Sequence, residues 1–204
     1  MHEGEKMKYA LLGDLHSSIE DTKAVLQHIQ ETAPDSVLIG LGDLYECIIG
    51  KKKALSISNA PLKSAAIIED DFEELLTFPS IRGNQEERIT NVTGIERFAS
   101  LPEKLVIEGA TLIHGHQIEW DKHWEPLNSA ALEIDTSLVF FGHSHRSGIY
   151  QEFKKLHEPI QFGKEIQLHS MKNYWINIGS VVDNREWCLY DSETRTIRFM
   201  KLSH

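Results

Sequence analysis

Five short apolar runs in this chain each lead into a glycine-bearing loop that also carries a carboxylate, an imidazole or an amide, and this repeated arrangement constrains the fold more than any other feature. The first run, Tyr9-Ala10-Leu11-Leu12, enters Gly13-Asp14-Leu15-His16. A short apolar run bounded in this way reads as a buried strand ending in a loop. Ser17 and Ser18 follow, and a hydroxyl there can satisfy the free N–H groups of a helix start. Ile19, Val25, Leu26 and Ile29 then recur at helical spacing to about Thr32, and Pro34 closes the helix. Val37-Leu38-Ile39 is the next strand, and its loop holds Gly42-Asp43. A strand, helix and strand in this order predict a parallel pair joined by a right-handed crossover.

Residues 48–63 read as an irregular loop or small cap, with Lys51, Lys52 and Lys53 at its start. The spacing of Ile68, Phe72, Leu75 and Leu76 predicts a helix over 65–77. Ser80-Ile81-Arg82 is a short strand entering Gly83-Asn84, and a helical region covers 85–98. Strands are predicted at 104–107, 110–114, 138–141, 148–153, 166–169, 174–178, 187–190 and 196–200, with a helix near 127–134 between them. No linker or internal repeat interrupts 1–204, so the expectation is a single α/β (α+β) domain.

Composition narrows the class. With 21 Lys and Arg against 31 Asp and Glu, the net charge is −10, which argues against stable nucleic-acid binding or adhesion to an anionic membrane. Cys47 and Cys188 are too far apart in sequence and too few to make a disulfide framework or a thiolate metal site. The opening MHEGEKMKYALLGD has no long apolar stretch, and no run approaches the ~18 residues of a membrane span. The expectation is therefore a cytoplasmic protein with no membrane partner and no readable oligomeric state.

The five loops hold Asp14, His16, Asp43, Asn84, His114, His143 and His145. Oxygen and imidazole donors without thiolates suit Mn, Fe, Zn, Ni or Co, and suit a catalytic site more than a structural zinc. Seven donors fit two ions better than one. Asp43 is the candidate bridge, because two close cations need a shared anion and a carboxylate can supply it with its two oxygens. Glycine beside these residues lets the backbone turn tightly and keeps space clear near an ion. Loops at strand ends of an α/β sheet converge on the crevice where such folds bind ligands.

The ordered set GD-x-H, GD, GN, H-G-H and GH-x-H resembles the calcineurin-like metallophosphoesterases. The likeness runs from Gly13 to His145, and Asn177-Ile178-Gly179-Ser180-Val181 with Arg185 is similar to a segment of the small bacterial and archaeal phosphodiesterase-like members. The resemblance implies a four-layer αββα sandwich of two mixed β-sheets flanked by helices. It implies two divalent ions, manganese preferred, with Asp14, His16, Asp43 and His145 on one and Asp43, Asn84, His114 and His143 on the other. It implies in-line attack on phosphorus by a bridging hydroxide, with Asn84 as ligand and positioner, and a phosphate-ester substrate that is a small molecule or a nucleotide.

Two residues depart from the family pattern. Glu46 stands where GD-x-x-D would place Asp, and Gln85 stands where many members have His after Gly-Asn. Gln cannot deliver a proton. That favours a phosphodiesterase over a phosphomonoesterase acting on proteins or nucleotides. A non-catalytic scaffold on the same fold, as in the retromer subunit that resembles this family, is the other alternative. His116 is the candidate substitute acid, and its loss should remove the alkaline limb of the pH–rate profile.

The remaining histidines, His2, His28, His123, His157, His169 and His204, read as exposed or structural. Arg82, Arg146 and Arg185 sit beside the loops and suit either a phosphate grip or a structural ion pair. Lys51 to Lys53 read as a solvated face or a clamp on the cap. Trp120 and Trp124 read as packing, or as a wall for a base or aryl group.

Overall fold

The fold was obtained as a computed structural model that describes residues 7–128, 132–156 and 159–203. Strand β1 (Lys8–Leu12) is buried on both faces, which explains its unbroken apolar run. Its side chains alternate between two cores. Tyr9 and Leu11 join a cluster with Leu112, Phe140, Ile176 and Phe199, while Ala10 and Leu12 join another with Val25, Ile29, Ile89 and Trp187. Helix α1 (Ile19–Thr32) starts where Ser18 Oγ accepts the Asp21 N–H, as the Ser17-Ser18 pair predicts. It leads into β2 (Val37–Gly40), which pairs parallel with β1, Tyr9 opposite Val37.

The next segment differs from expectation. The predicted helix over 65–77 is broken into α3 (Leu62–Ala65), strand β4 (Ala66–Ile67) and α4 (Asp70–Glu73). Strand β3 (Glu46–Cys47) pairs antiparallel with β4, and Ile48 N–H donates to Ala65 O over 2.9 Å. This long-range pairing overrides the helical spacing. Between β3 and α3 a single helical turn, α2 (Lys51–Ala54), interrupts the loop. The strand expected at 80–82 is reduced to one bridge between Gly40 and Ser80. Helix α5 (Asn84–Thr93) is shorter than predicted because Gly94, at φ +74°, turns the chain and sends its N–H to Thr90 O.

The remaining elements are strands. They are β5 (Lys104–Ile107), β6 (Ala110–Ile113), β7 (Glu119–Trp120), β8 (Pro126–Asn128), β9 (Leu138–Phe141), β10 (Gly148–Gln151), β11 (Lys154–Leu156), β12 (Glu165–Gln167), β13 (Tyr174–Asn177), β14 (Glu186–Asp191) and β15 (Thr196–Lys201). The strand predicted over 148–153 is a hairpin of β10 and β11. Glu152 and Phe153 turn it with φ of +50° and +59°, as a two-residue loop between twisted strands requires. The helix predicted near 127–134 does not form in its described parts. Residues 126–128 pair with β7, 132–134 are irregular, and 129–131 lie outside the described residues.

Two mixed sheets result, ordered β12-β15-β14-β1-β2 and β11-β10-β13-β9-β6-β5. The shared cluster of Tyr9, Leu11, Cys188, Tyr190 and Phe199 with Leu112, Leu138, Phe140 and Ile176 joins them. The class is the mixed α/β arrangement expected. No helix among the described residues is long and apolar enough to cross a membrane.

Candidate metal centre

Strands β1, β6 and β9 end at one place beside the loop after β2, and these four loops bring six of the seven predicted residues together. Asp14, His16 and His145 form one group of atoms close enough to share an ion, and Asp43, His114 and His143 form another. Asn84, the first residue of α5, reaches the second group, with Oδ1 3.2 Å from His114 Nε2. The Asp14, His16, Asp43, His143 and His145 backbones all have positive φ, between +46° and +73°. Such conformations are costly outside glycine and concentrate at functional sites.

Asp14 and Asp43 are fixed on one oxygen and face the cluster with the other. Asp14 Oδ2 accepts the His143 N–H over 2.9 Å, while Oδ1 lies 3.5 Å from His145 Nε2 and 3.9 Å from His16 Nε2. Asp43 Oδ1 accepts the Gln85 N–H over 2.8 Å. Its Oδ2 lies 3.3 Å from His114 Nε2 and 3.8 Å from His16 Nε2, so one oxygen of the candidate bridge, rather than two, faces both groups. A Cβ on Gly83 would lie 2.2 Å from Asp43 Oδ1, and one on Gly142 would lie 2.5 Å from Asp14 Oδ2. These two glycines are therefore needed for close approach to the carboxylates.

The imidazoles are oriented from behind. His114 Nδ1 is 2.8 Å from Leu41 O and so donates to it, leaving the Nε2 lone pair for the cluster. Glu46 Oε2 lies 2.5 Å from His16 Nδ1, and Asp183 Oδ2 lies 3.0 Å from His145 Nδ1. A carboxylate behind a ligating histidine fixes its tautomer and raises its basicity. Glu46 thus fills the position left open by its departure from Asp. Asp183 was missed, as was Glu86. That carboxylate is fully buried and accepts N–H groups from Asp43, Gly83 and Tyr45 at 2.9, 2.8 and 3.1 Å. A Glu three residues after a helix N-cap that reaches back to the cap N–H is a known start signal, and it was present in Gly83-Asn84-Gln85-Glu86. Asn177 and Asn184 support the opposite loop, donating to Gly142 O and His145 O over 3.2 and 3.0 Å.

The donors fit a divalent cation. Among the described residues, Asp14 Oδ1 and His16 Nε2 are buried with no hydrogen-bond partner. Such orphaned atoms are costly unless something satisfies them. Turning the Asn84 amide over would aim its NH2 at His143 Nδ1 and His114 Nε2; a cation bound among these atoms would favour the oxygen there instead. Burial disfavours the charged form of His114, yet Asp43 and Asp14 hold its pKa up to about 10. Asp14 and Asp183 likewise outweigh burial at His145 and hold it at about 9. Burial and then His114 push His143 down to about 4. Burial pushes Asp43 upward, but His114 and the Gln85 N–H leave it below the usual carboxylate range. A divalent ion bound here would have to displace the protons on His114 and His145, so its affinity should rise with pH through this range.

Gln85 does not face the cluster. Its side chain is buried, and Oε1 accepts the Cys47 N–H over 3.1 Å, which anchors the ribbon carrying Glu46. Gln85→Ala is therefore expected to leave turnover nearly unchanged while lowering stability by about 1–3 kcal/mol. Thermal unfolding measured beside kcat checks this, and a large drop in kcat at unchanged stability would contradict it. His116 is in the same loop as His114, ring centroids 5.4 Å apart, with Nε2 3.6 Å from Glu87 Oε2. Burial and His114 push it down to about 4. Arg82 pairs with Glu103 and Arg185 with Glu20 and Asp21, so both are structural. His28 is structural too, with Nδ1 accepting the Trp187 indole N–H over 3.1 Å. His2, His157 and His204 lie outside the described residues.

Residues 7–187 match the family described as the calcineurin-like phosphoesterase superfamily domain. Among solved structures, a metallophosphoesterase from Sphaerobacter thermophilus is 17% identical over 98% of this chain and 89% of that chain, with a TM-score of 0.65, and shares the fold. The phosphoesterase Yfce from E. coli is 17% identical over 97% of this chain and 100% of that one, with a TM-score of 0.46. Vps29 from Entamoeba histolytica, solved with zinc, is 15% identical over 96% and 98%, with a TM-score of 0.44. No curated protein matches the chain.

Proposed function

We propose that this chain, which belongs to the calcineurin-like phosphoesterase superfamily, is a metal-dependent phosphodiesterase. The observation that carries this reading is the buried, unpartnered pair Asp14 Oδ1 and His16 Nε2, converging with Asp43 Oδ2 from the neighbouring group. Asp14, His16, Asp43 and His145 would hold one divalent ion, and Asp43, Asn84, His114 and His143 the other. When bound, such ions supply charge stabilisation for phosphate oxygens and acidify water near neutral pH.

The chain's own residues set the rest. Leu41 O, Glu46 and Asp183 hold three imidazoles with the ligating nitrogen forward. Asn84 offers its carbonyl oxygen to the centre and places the α5 N-terminus beside it. The Gln85 amide is committed to Cys47, so no acid stands there for a poor leaving group. This favours diesters, or esters whose alcohol departs readily.

His116, its ring 5.4 Å from that of His114 and 6.4 Å from that of His143, is the candidate hydrogen-bond or proton donor to the ester. His116→Ala should lower kcat on the order of 10²-fold, the usual cost of one preorganised donor. His116→Gln, which keeps a donor, should recover part of the loss; unchanged kcat in His116→Ala would remove His116 from the mechanism.

The whole reading is tested by the ion content of the purified protein and by hydrolysis of bis-aryl against mono-aryl phosphate with manganese. Two ions per chain and faster diester turnover support it. No ion and no turnover on either ester would refute it.

A further inference from the structure

We infer that Trp124 is an aromatic platform that stacks the nucleobase of a nucleotide whose phosphate lies at the metal centre; this rests on the phosphoesterase reading above. Two tryptophans follow the His114 loop, and the structure gives them different surroundings. Trp120 is half-buried. Its indole N–H donates to Gly115 O over 2.9 Å, and its ring packs 5.8 Å from Phe141. Trp124 is 45% exposed, although it lies in van der Waals reach of the centre, with its ring 5.7 Å from that of His143 and edge to face. Trp120 lies beside it at 6.1 Å and also reaches His143, at 5.9 Å. Trp120 is held by its hydrogen bond and its packing, while Trp124 stays exposed beside a proposed ligand.

The backbone is shaped to hold it there. Trp124 has φ +62°, which is an outlier for a bulky side chain. The tip between β7 and β8 is closed by Asp121, whose Oδ1 accepts the N–H groups of His123 and Glu125 at 2.7 and 2.9 Å. Arg146, next to His145, donates to His123 O over 2.8 Å and ties this tip to the other ligand loop. A strained, well-anchored turn that leaves a large aromatic ring exposed suits recognition better than packing. A flat aromatic group gains most from such a face, and stacking tolerates any base.

The test compares binding of AMP and ribose 5-phosphate to the manganese-loaded protein by calorimetry. The two share a phosphate and a ribose, and only AMP carries a base. Stacking makes AMP bind on the order of tenfold more tightly to the native chain. Trp124→Ala brings AMP down to the affinity of ribose 5-phosphate, leaves ribose 5-phosphate unchanged, and leaves ion content unchanged. Trp124→Phe keeps most of the difference, and it guards against a simple collapse of the hairpin. Equal binding of the two ligands by the native chain, equal weakening of both by Trp124→Ala, or no binding of either overturns the inference. The hydrolysis reading fails separately, if the native chain shows this AMP preference yet hydrolyses no ester.

Discussion

Asp43→Asn is expected to lower turnover on the order of 10³-fold and to strip both ions from the protein, because several kcal/mol of charge stabilisation are lost at 1.36 kcal/mol per tenfold. Asn matches Asp in shape, and its oxygen can still accept the Gln85 N–H that now holds Asp43 Oδ1. The backbone N–H of Asp43 stays bonded to Glu86. What changes is the atom at Oδ2, which lies within 4 Å of His114 Nε2 on one side and His16 Nε2 on the other. An NH2 there would point donors at a place that calls for a shared anion. His143→Ala removes a donor from one group only. It is expected to lose one ion and keep the other. Elemental analysis of both variants beside kcat separates the cases. Two retained ions with more than a tenth of native turnover in Asp43→Asn would exclude the bridging role.

The contrast between these two variants follows from what a sequence can carry. The convergence of Asp14, Asp43, His114 and His143 is legible because each sits just after an apolar strand with a glycine beside it, and strand ends in such a sheet meet at one place. The residues that orient them are not. Glu46 is 30 positions from His16, and Asp183 is 38 positions from His145. No local periodicity reports a partnership at that range, and an exposed Asp next to Val182 looks like any loop residue. Elements failed for the same reason. Residues 65–77 have helical spacing, but Ala66 and Ile67 are claimed by Cys47 and Glu46 across a two-stranded ribbon. That ribbon carries the Glu46 carboxylate to His16. The misread segment is thus part of what builds the site. Gln85 shows the converse. Its departure from the family His was plain in the sequence, but only the structure shows the amide holding Cys47 instead of facing the carboxylate and imidazole cluster.

Glu86 makes the strongest case that the site and the fold share one support. It is fully buried, and its two oxygens accept three backbone N–H groups, from Asp43, Gly83 and Tyr45. Glu86→Ala leaves all three without an acceptor in a place water cannot reach. Each orphan costs about 1–3 kcal/mol, and partial relaxation should bring the total to roughly 3–5 kcal/mol. For a chain of this size that lowers Tm by about 10 °C. Glu86→Gln keeps one oxygen but sets an NH2 against at least one of the donors, so its loss should be smaller, about 2–3 kcal/mol. Both variants should also bind ions more weakly than the native chain. The Asp43 backbone and the Gly83 backbone are held by the same Oε2, and the space between them is tight enough that a Cβ on Gly83 would overlap Asp43 Oδ1. Loss of that grip moves the carboxylate the centre depends on. Thermal unfolding with and without added manganese reads both effects. The expected order of Tm is native, then Gln, then Ala, with less gain from manganese in the two variants. A Glu86→Gln protein that melts and takes up manganese like the native chain would show that the buried carboxylate holds neither the loop nor the site.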